Sequence, residues 1–111
     1  MSRLRVIVSK IESMNIFGSV YELVAKVPKG KVTTYGALSK IVGVDPRVIG
    51  YALHSNKDPE NIPCHRVIKS DGKVAVGFAF GGPQVQQKML EKEGINFIKG
   101  KVDLKRFGFF L

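Results

Sequence analysis

The four residues Gly43-Val44-Asp45-Pro46 constrain this chain most. A glycine at the end of a helix takes up left-handed backbone and stops it. Aspartate followed by proline then starts another helix: the carboxylate caps free N–H groups, and proline suits the first helical position. The two helices must meet at a tight turn, the layout of a helix-turn-helix. Thr34 is placed to cap the first of them, with Tyr35, Leu38, Ile41 and Val42 along one side. The second, about 46–55, is expected to bury Val48, Ile49, Ala52 and Leu53 and to turn Arg47, Gly50, Tyr51 and His54 outward. A glycine inside a helix costs about 1 kcal/mol relative to alanine. Gly50 therefore has a reason, either close approach of a nucleic-acid backbone or close packing of two helices.

Residues 1–13 are a short basic lead. Apolar spacing from Phe17 to Val27 predicts a helix, ended by Pro28-Lys29-Gly30. Residues 31–33 are a short extended link, and 56–61 are a polar loop. Cys64–Ile68 and Lys73–Val76 are expected to pair as a hairpin turned at Ser70-Asp71-Gly72. A loop rich in Gly and Phe runs from Gly77 to Gly82. Pro83 opens a last helix, Gln84 to Glu93, with Val85, Met89 and Leu90 inward and Gly94 closing it. Ile95 to Leu111 is a basic, aromatic tail that adds a strand or lies against the core. The expected fold is mainly α: a small helical bundle with a winged helix-turn-helix-like motif and a short β-hairpin, in one domain of 1–111.

Eighteen basic against nine acidic residues leave a net charge of +9. Such a surface suits polyanions, since each phosphate contact releases counterions, but a solvated lysine coat gives the same count. There is no apolar run long enough to span a membrane. One Cys and two His, His54 and His65, lack zinc spacing, and no phosphate-cradling glycine loop occurs. Any chemistry is thus expected to need no metal and no cofactor. The first residues are too short for a signal peptide, and a lone cysteine fits a reducing, intracellular compartment. That cysteine is commonly just a small buried hydrophobe. Here it stands in Pro63-Cys64-His65, a thiol after a rigid proline and before an imidazole, which is a way to present a nucleophile.

The run Pro63-Cys64-His65-Arg66-Val67 resembles the active-site motif of the 6-O-alkylguanine-DNA alkyltransferases. Gly30-Lys31-Val32-Thr33-Thr34-Tyr35-Gly36-Ala37-Leu38 is similar to that family's Gly-x-Val-x-x-Tyr-x-x-Leu. Arg47-Val48-Ile49-Gly50-Tyr51-Ala52 is similar to its Arg-Ala-Val-Gly-x-Ala. Asn56, Gly81-Gly82 and Glu93-Gly94 follow in family order, so the resemblance runs from about 17 to 94. It implies a single-use transfer without a cofactor: minor-groove binding, extrusion of an alkylated guanine, and movement of the alkyl group to Cys64. It further implies His65 as base through a water, Glu93 orienting His65, and Asn56 supporting the active-site hinge. Tyr35 would lie against a phosphate or the base, and Arg47 would fill the gap in the stack. Gly50, Tyr51 and His54 would face the DNA, while Val67, Phe78, Phe80 and Gly81 would line the base pocket. The implied partner is double-stranded DNA containing alkylated guanine, bound by a monomer in the cytoplasm or nucleoid of a prokaryote.

Three departures stand out. Many relatives carry an extra N-terminal domain, expected to be absent here. The family's Gly-Tyr-x-Gly-Gly is replaced by Gly77-Phe78-Ala79-Phe80-Gly81-Gly82, one residue longer and without the tyrosine hydroxyl. Tyr51 is also bulky for a DNA face. The rival readings are a non-reacting alkyltransferase-like lesion binder, whose members commonly have tryptophan in place of the cysteine, a helix-turn-helix transcriptional regulator, and a cysteine hydrolase.

Overall fold

Caps set the central helices. The structure, a computed structural model, describes residues 16–110; the basic lead lies outside them. Helix α1 covers residues 16–25, two short of the expected end, and buries Val20 and Val24 completely. Strand β1, Thr33–Thr34, leads into α2, Tyr35–Val42. The Thr34 hydroxyl accepts from the Ala37 N–H at 3.1 Å, and Gly43 ends the helix at φ 80°. Helix α3, Pro46–His54, starts on Asp45, whose carboxylate accepts from the Arg47 N–H at 2.9 Å. The two helices pack against each other, as a helix-turn-helix requires. Leu38, Ile49, Ala52 and Leu53 face the core, whereas Val48 is only half-buried and Ile41 is 47% exposed.

The expected hairpin over 64–76 is not formed. Cys64–Arg66 is a single 3₁₀ turn, and β2, Val67–Ile68, runs parallel to β1 with Thr33 opposite Val67 and Thr34 opposite Ile68. A turn does close at Ser70-Asp71-Gly72, with Lys69 N–H donating to the Lys73 carbonyl at 2.9 Å. Residues 73–76 nevertheless add no strand. The reason is competition for partners. β2 is spent on β1, with Val67 and Ile68 fully buried, and the Ala75 N–H donates to the Gln86 side chain.

Helix α4 spans Gly82–Lys92, beginning one residue before Pro83. Val85 points outward, 39% exposed, contrary to expectation, and Gln86 takes the fully buried place beside Leu90. The hairpin lies instead in the tail: β3, Phe97–Ile98, pairs antiparallel with β4, Lys101–Val102. Its two turn residues, Lys99 and Gly100, both have positive φ, 52° and 77°, as a tight hairpin turn demands. A last short helix, α5, Leu104–Phe107, follows. The tail both adds strands and joins the core, since Ile95, Val102 and Phe107 cluster with Val32, Ile68 and Leu90. The Phe109 N–H donates to the Val32 carbonyl at 2.7 Å, which fastens the end of the described chain beside β1. The molecule is thus mainly helical, and among the described residues no helix is long and apolar enough to cross a membrane.

Candidate active site

Cys64 opens the 3₁₀ turn between Pro63 and β2, so the backbone around it is held on both sides. Its own N–H donates to the Ile62 carbonyl at 2.7 Å. The side chain is 4% exposed and lies in the wall of a narrow pocket with room for little more than a water molecule. Tyr35, Leu53, His54, Gly77, Phe78 and Ala79 complete that wall. Burial pushes the Cys64 thiol above the ordinary cysteine range, and the Asn56 amide beside it offsets this only in part. The group is therefore a neutral thiol at neutral pH. Tyr35, the first residue of α2, has its phenol raised by burial and then by the nearby Cys64 charge.

An imidazole is adjacent in the chain. His65, also buried, points its Nε2 at Glu93 Oε2, 2.9 Å away. Glu93 caps the C-terminal end of α4, and Arg66 grips it from the other side through Nε to Oε1 at 2.9 Å and Nη2 to Oε2 at 2.7 Å. Arg66 Nη1 also donates to the Val27 carbonyl at 2.9 Å, tying the segment just after α1 to the 3₁₀ turn. Burial acts to raise the Glu93 carboxyl, but hydrogen bonds from Arg66 and His65, together with their charges, outweigh it and hold it below the usual glutamate range. A carboxylate on Nε2 leaves Nδ1 as the ring nitrogen free to take a proton.

Asn56 is buried and spans the loop before the cysteine. Its Nδ2 donates to the Ile62 carbonyl at 2.8 Å and its Oδ1 accepts from the Asp58 N–H at 2.9 Å. Gln86 does the same work from below. Its Nε2 donates to the His65 and Val67 carbonyls at 3.0 and 2.8 Å, while its Oε1 accepts from the Ala75 N–H at 2.8 Å. One buried amide thus joins the reactive turn to the segment that leads into the Gly77–Gly82 loop. Neither Arg66 nor Gln86 stood among the expected site residues. Gln86 shares a helix face with Leu90 and Glu93, and a polar residue in phase with a buried one was the available signal.

The expected DNA-facing residues share the outer side of α3. The Arg47 side chain is 83% exposed and its Nε lies 3.3 Å from Asp45; Tyr51 is 63% exposed. His54 is exposed at the end of the same helix and reaches the pocket mouth. A Cβ added at Gly50 would meet nothing within 4 Å among the described residues, so close packing of two helices is not the reason for that glycine. Of the expected pocket residues, Phe78 is a wall. Phe80 is 41% exposed and meets the Phe78 ring edge-on at a centroid distance of 6.0 Å, outside the pocket. Gly81, at φ 127°, serves the turn into α4, where a Cβ would lie 2.8 Å from Val85. Val67 sits behind the site, its side chain fully buried and its carbonyl held by Gln86. Among the described residues, no group of three or more His, Cys, Asp or Glu is placed to hold a metal ion.

Comparison with known proteins decides the family. The family described as 6-O-methylguanine DNA methyltransferase, DNA binding domain, matches residues 15–95. This chain belongs to that family. A bifunctional methyltransferase/endonuclease of Picrophilus torridus is 39% identical over 103 residues, covering 89% of this chain and 33% of the relative. A methylated-DNA–protein-cysteine methyltransferase of Thermococcus kodakarensis is 40% identical over 77 residues, 68% of this chain and 42% of the relative. The chain spans from 29% to 49% of the length of such curated relatives. Among solved structures, S. pombe Atl1 in complex with damaged DNA containing O6-carboxymethylguanine superposes with a TM-score of 0.76 at 30% identity, over 87% of this chain and 96% of that one. The O6-methylguanine-DNA methyltransferase of Pyrococcus kodakaraensis gives 0.60 at 36% identity, over 71% of this chain and 46% of its own.

Proposed function

We propose that this chain repairs DNA by moving an alkyl group from the 6-oxygen of guanine to Cys64, once per molecule. The observation that carries the reading is the buried Cys64 thiol in the wall of a pocket, directly before a histidine whose Nε2 bonds to Glu93. The reacting carbon sits inside a stacked duplex, so the base must leave the stack and enter a pocket. His65 accepts the thiol proton at Nδ1, through a water. The sulfur attacks the alkyl carbon, an S–C bond forms and the C–O bond to guanine breaks. The Tyr35 phenol gives its proton to the departing guanine, and the proton held by His65 then returns through water to the Tyr35 phenolate, so that the thiol proton ends on guanine and both side chains are neutral again. Asn56 keeps the reactive turn in register. Arg47 fills the gap left by the base, and the glycine surface at Gly50 admits the backbone of the minor groove. Phe78 closes the pocket from the loop side.

A non-reacting lesion binder is the second reading, favoured by the fit to Atl1 along nearly all of that chain. Cys64 stands against it. The two part on one measurement, intact protein mass after mixing with duplex DNA bearing O6-methylguanine. A gain of one methyl group on Cys64, stopping at one equivalent, supports transfer; tight binding with unchanged mass supports the second reading. Cys64→Ala is expected to bind the same DNA and transfer nothing.

A further inference from the structure

The tail hairpin and the turn after β2 bring four lysines together. The Gly72 carbonyl accepts from the Val102 N–H at 2.9 Å, and a Cβ at Gly72 would lie 3.7 Å from Lys101 Cβ. Lys69 Nζ stands 3.8 Å from Asp71, and Lys69 and Lys73 are joined by the hydrogen bond that closes their turn. Lys99 occupies the hairpin tip two residues before Lys101. All four lysines are exposed. Over 69–73 and 97–102 they face a single acid, Asp71, which leaves a net of three positive charges, four less one. The backbone that carries the cluster is fixed to the core: Val102 is buried and β3–β4 is anchored on the second core cluster.

The cluster also adjoins the reactive site. A Cβ at Gly36, the second residue of α2, would lie 2.6 Å from Ser70 Oγ. Tyr35, next to Gly36, lines the pocket with Cys64. From the pocket the surface therefore continues across the start of α2 to Ser70, then to Gly72 and Lys101. The hairpin lies beyond the residues matched by the family description, which end at 95.

We propose that Lys69, Lys73, Lys99 and Lys101 form a basic wing that grips the phosphates of duplex DNA, separately from the face of α3. The inference rests on the DNA-binding reading given above. Lysines beside a base-extruding pocket hold the backbone next to the lesion while carrying no sequence preference, because phosphates are the same everywhere.

The test is the salt dependence of binding to a short undamaged duplex. Lys99→Asn/Lys101→Gln and Lys69→Gln/Lys73→Gln each remove two charges; asparagine at 99 tolerates the left-handed backbone there. The control is Lys88→Gln/Lys92→Gln. Those lysines lie on α4 two positions from the buried Gln86 and Leu90, hence on its outer side. Each wing pair is expected to flatten the slope of log K against log salt by about 2, and to weaken binding several-fold, while the control leaves the slope as in the wild type. Wing variants with the wild-type slope, or a control that loses as much, overturn the proposal. If the hairpin pair fails to fold by circular dichroism, the Lys69 and Lys73 pair decides. A wild type that holds no duplex DNA at all defeats the DNA-binding reading itself; a wild type that binds, with wing variants unchanged, defeats this inference alone.

Discussion

His65 and Glu93 stand 28 positions apart in the chain and 2.9 Å apart in space. What joins them is α4. Leu90, fully buried, sets the rotation of that helix, and its C-terminal end then delivers Glu93 to the reactive turn. Glu93→Gln keeps the shape but removes the charge that orients His65 and stabilises its protonated form. Single-turnover transfer is expected to slow at least about tenfold while DNA affinity stays nearly unchanged. An unchanged rate would take Glu93 out of the mechanism.

Acid is expected to destabilise the protein through the same carboxylate. Glu93 is held below the ordinary glutamate range in the folded chain, so its contribution is fully present above the unfolded value, about pH 4, and is lost as pH falls through the folded value. Urea midpoints measured across that interval should fall for the wild type. The fall should be shallower in Glu93→Gln, where no proton is taken up at that site.

Gln86→Leu is expected to be costly although no charge is involved. It strands the Ala75 N–H and leaves the His65 and Val67 carbonyls short of a donor. Buried groups without partners cost roughly 1–3 kcal/mol each, so a loss of at least about 2 kcal/mol in urea unfolding is the expected result. Gln86→Glu restores the shape but brings a carboxylate toward two carbonyls and should not recover the loss. A change near zero would mean that water replaces the amide without penalty.

Arg47→Ala is expected to leave the urea midpoint unchanged, since the side chain is almost fully exposed and its ion pair with Asp45 lies in solvent. Its effect should fall on duplex substrate. Transfer from DNA should slow far more than reaction with the free alkylguanine base, because only the duplex needs a side chain to fill the stack. Equal slowing on both would assign Arg47 a structural role.

What the sequence made legible was local. Thr34, Gly43, Asp45 and Pro46 act within a few residues of themselves, and each ends or starts a helix where its chemistry says it should. Cys64 and His65 are neighbours in the chain, so their partnership is readable without a fold. The pairing of Thr33 with Val67 is not, because it joins segments more than thirty residues apart and depends on the packing of everything between them. That the tail adds strands was legible, but not where its hairpin turns, because Lys99, not a usual turn residue, takes the left-handed place beside Gly100. The phase of Gln86 with Leu90 marks its place on the buried face, but the three backbone groups converging on it come from elsewhere in the chain and are what an amide there is for.

Burial of Cys64 also governs how the sulfur keeps. Peroxide and small electrophiles consume thiolates that solvent can reach. A thiol that is 4% exposed and shifted toward its neutral form is a poor target for either. If Cys64 is spent once, as proposed, it is stored until then in its least reactive state, and its shelf life is set by the same packing that shapes the pocket.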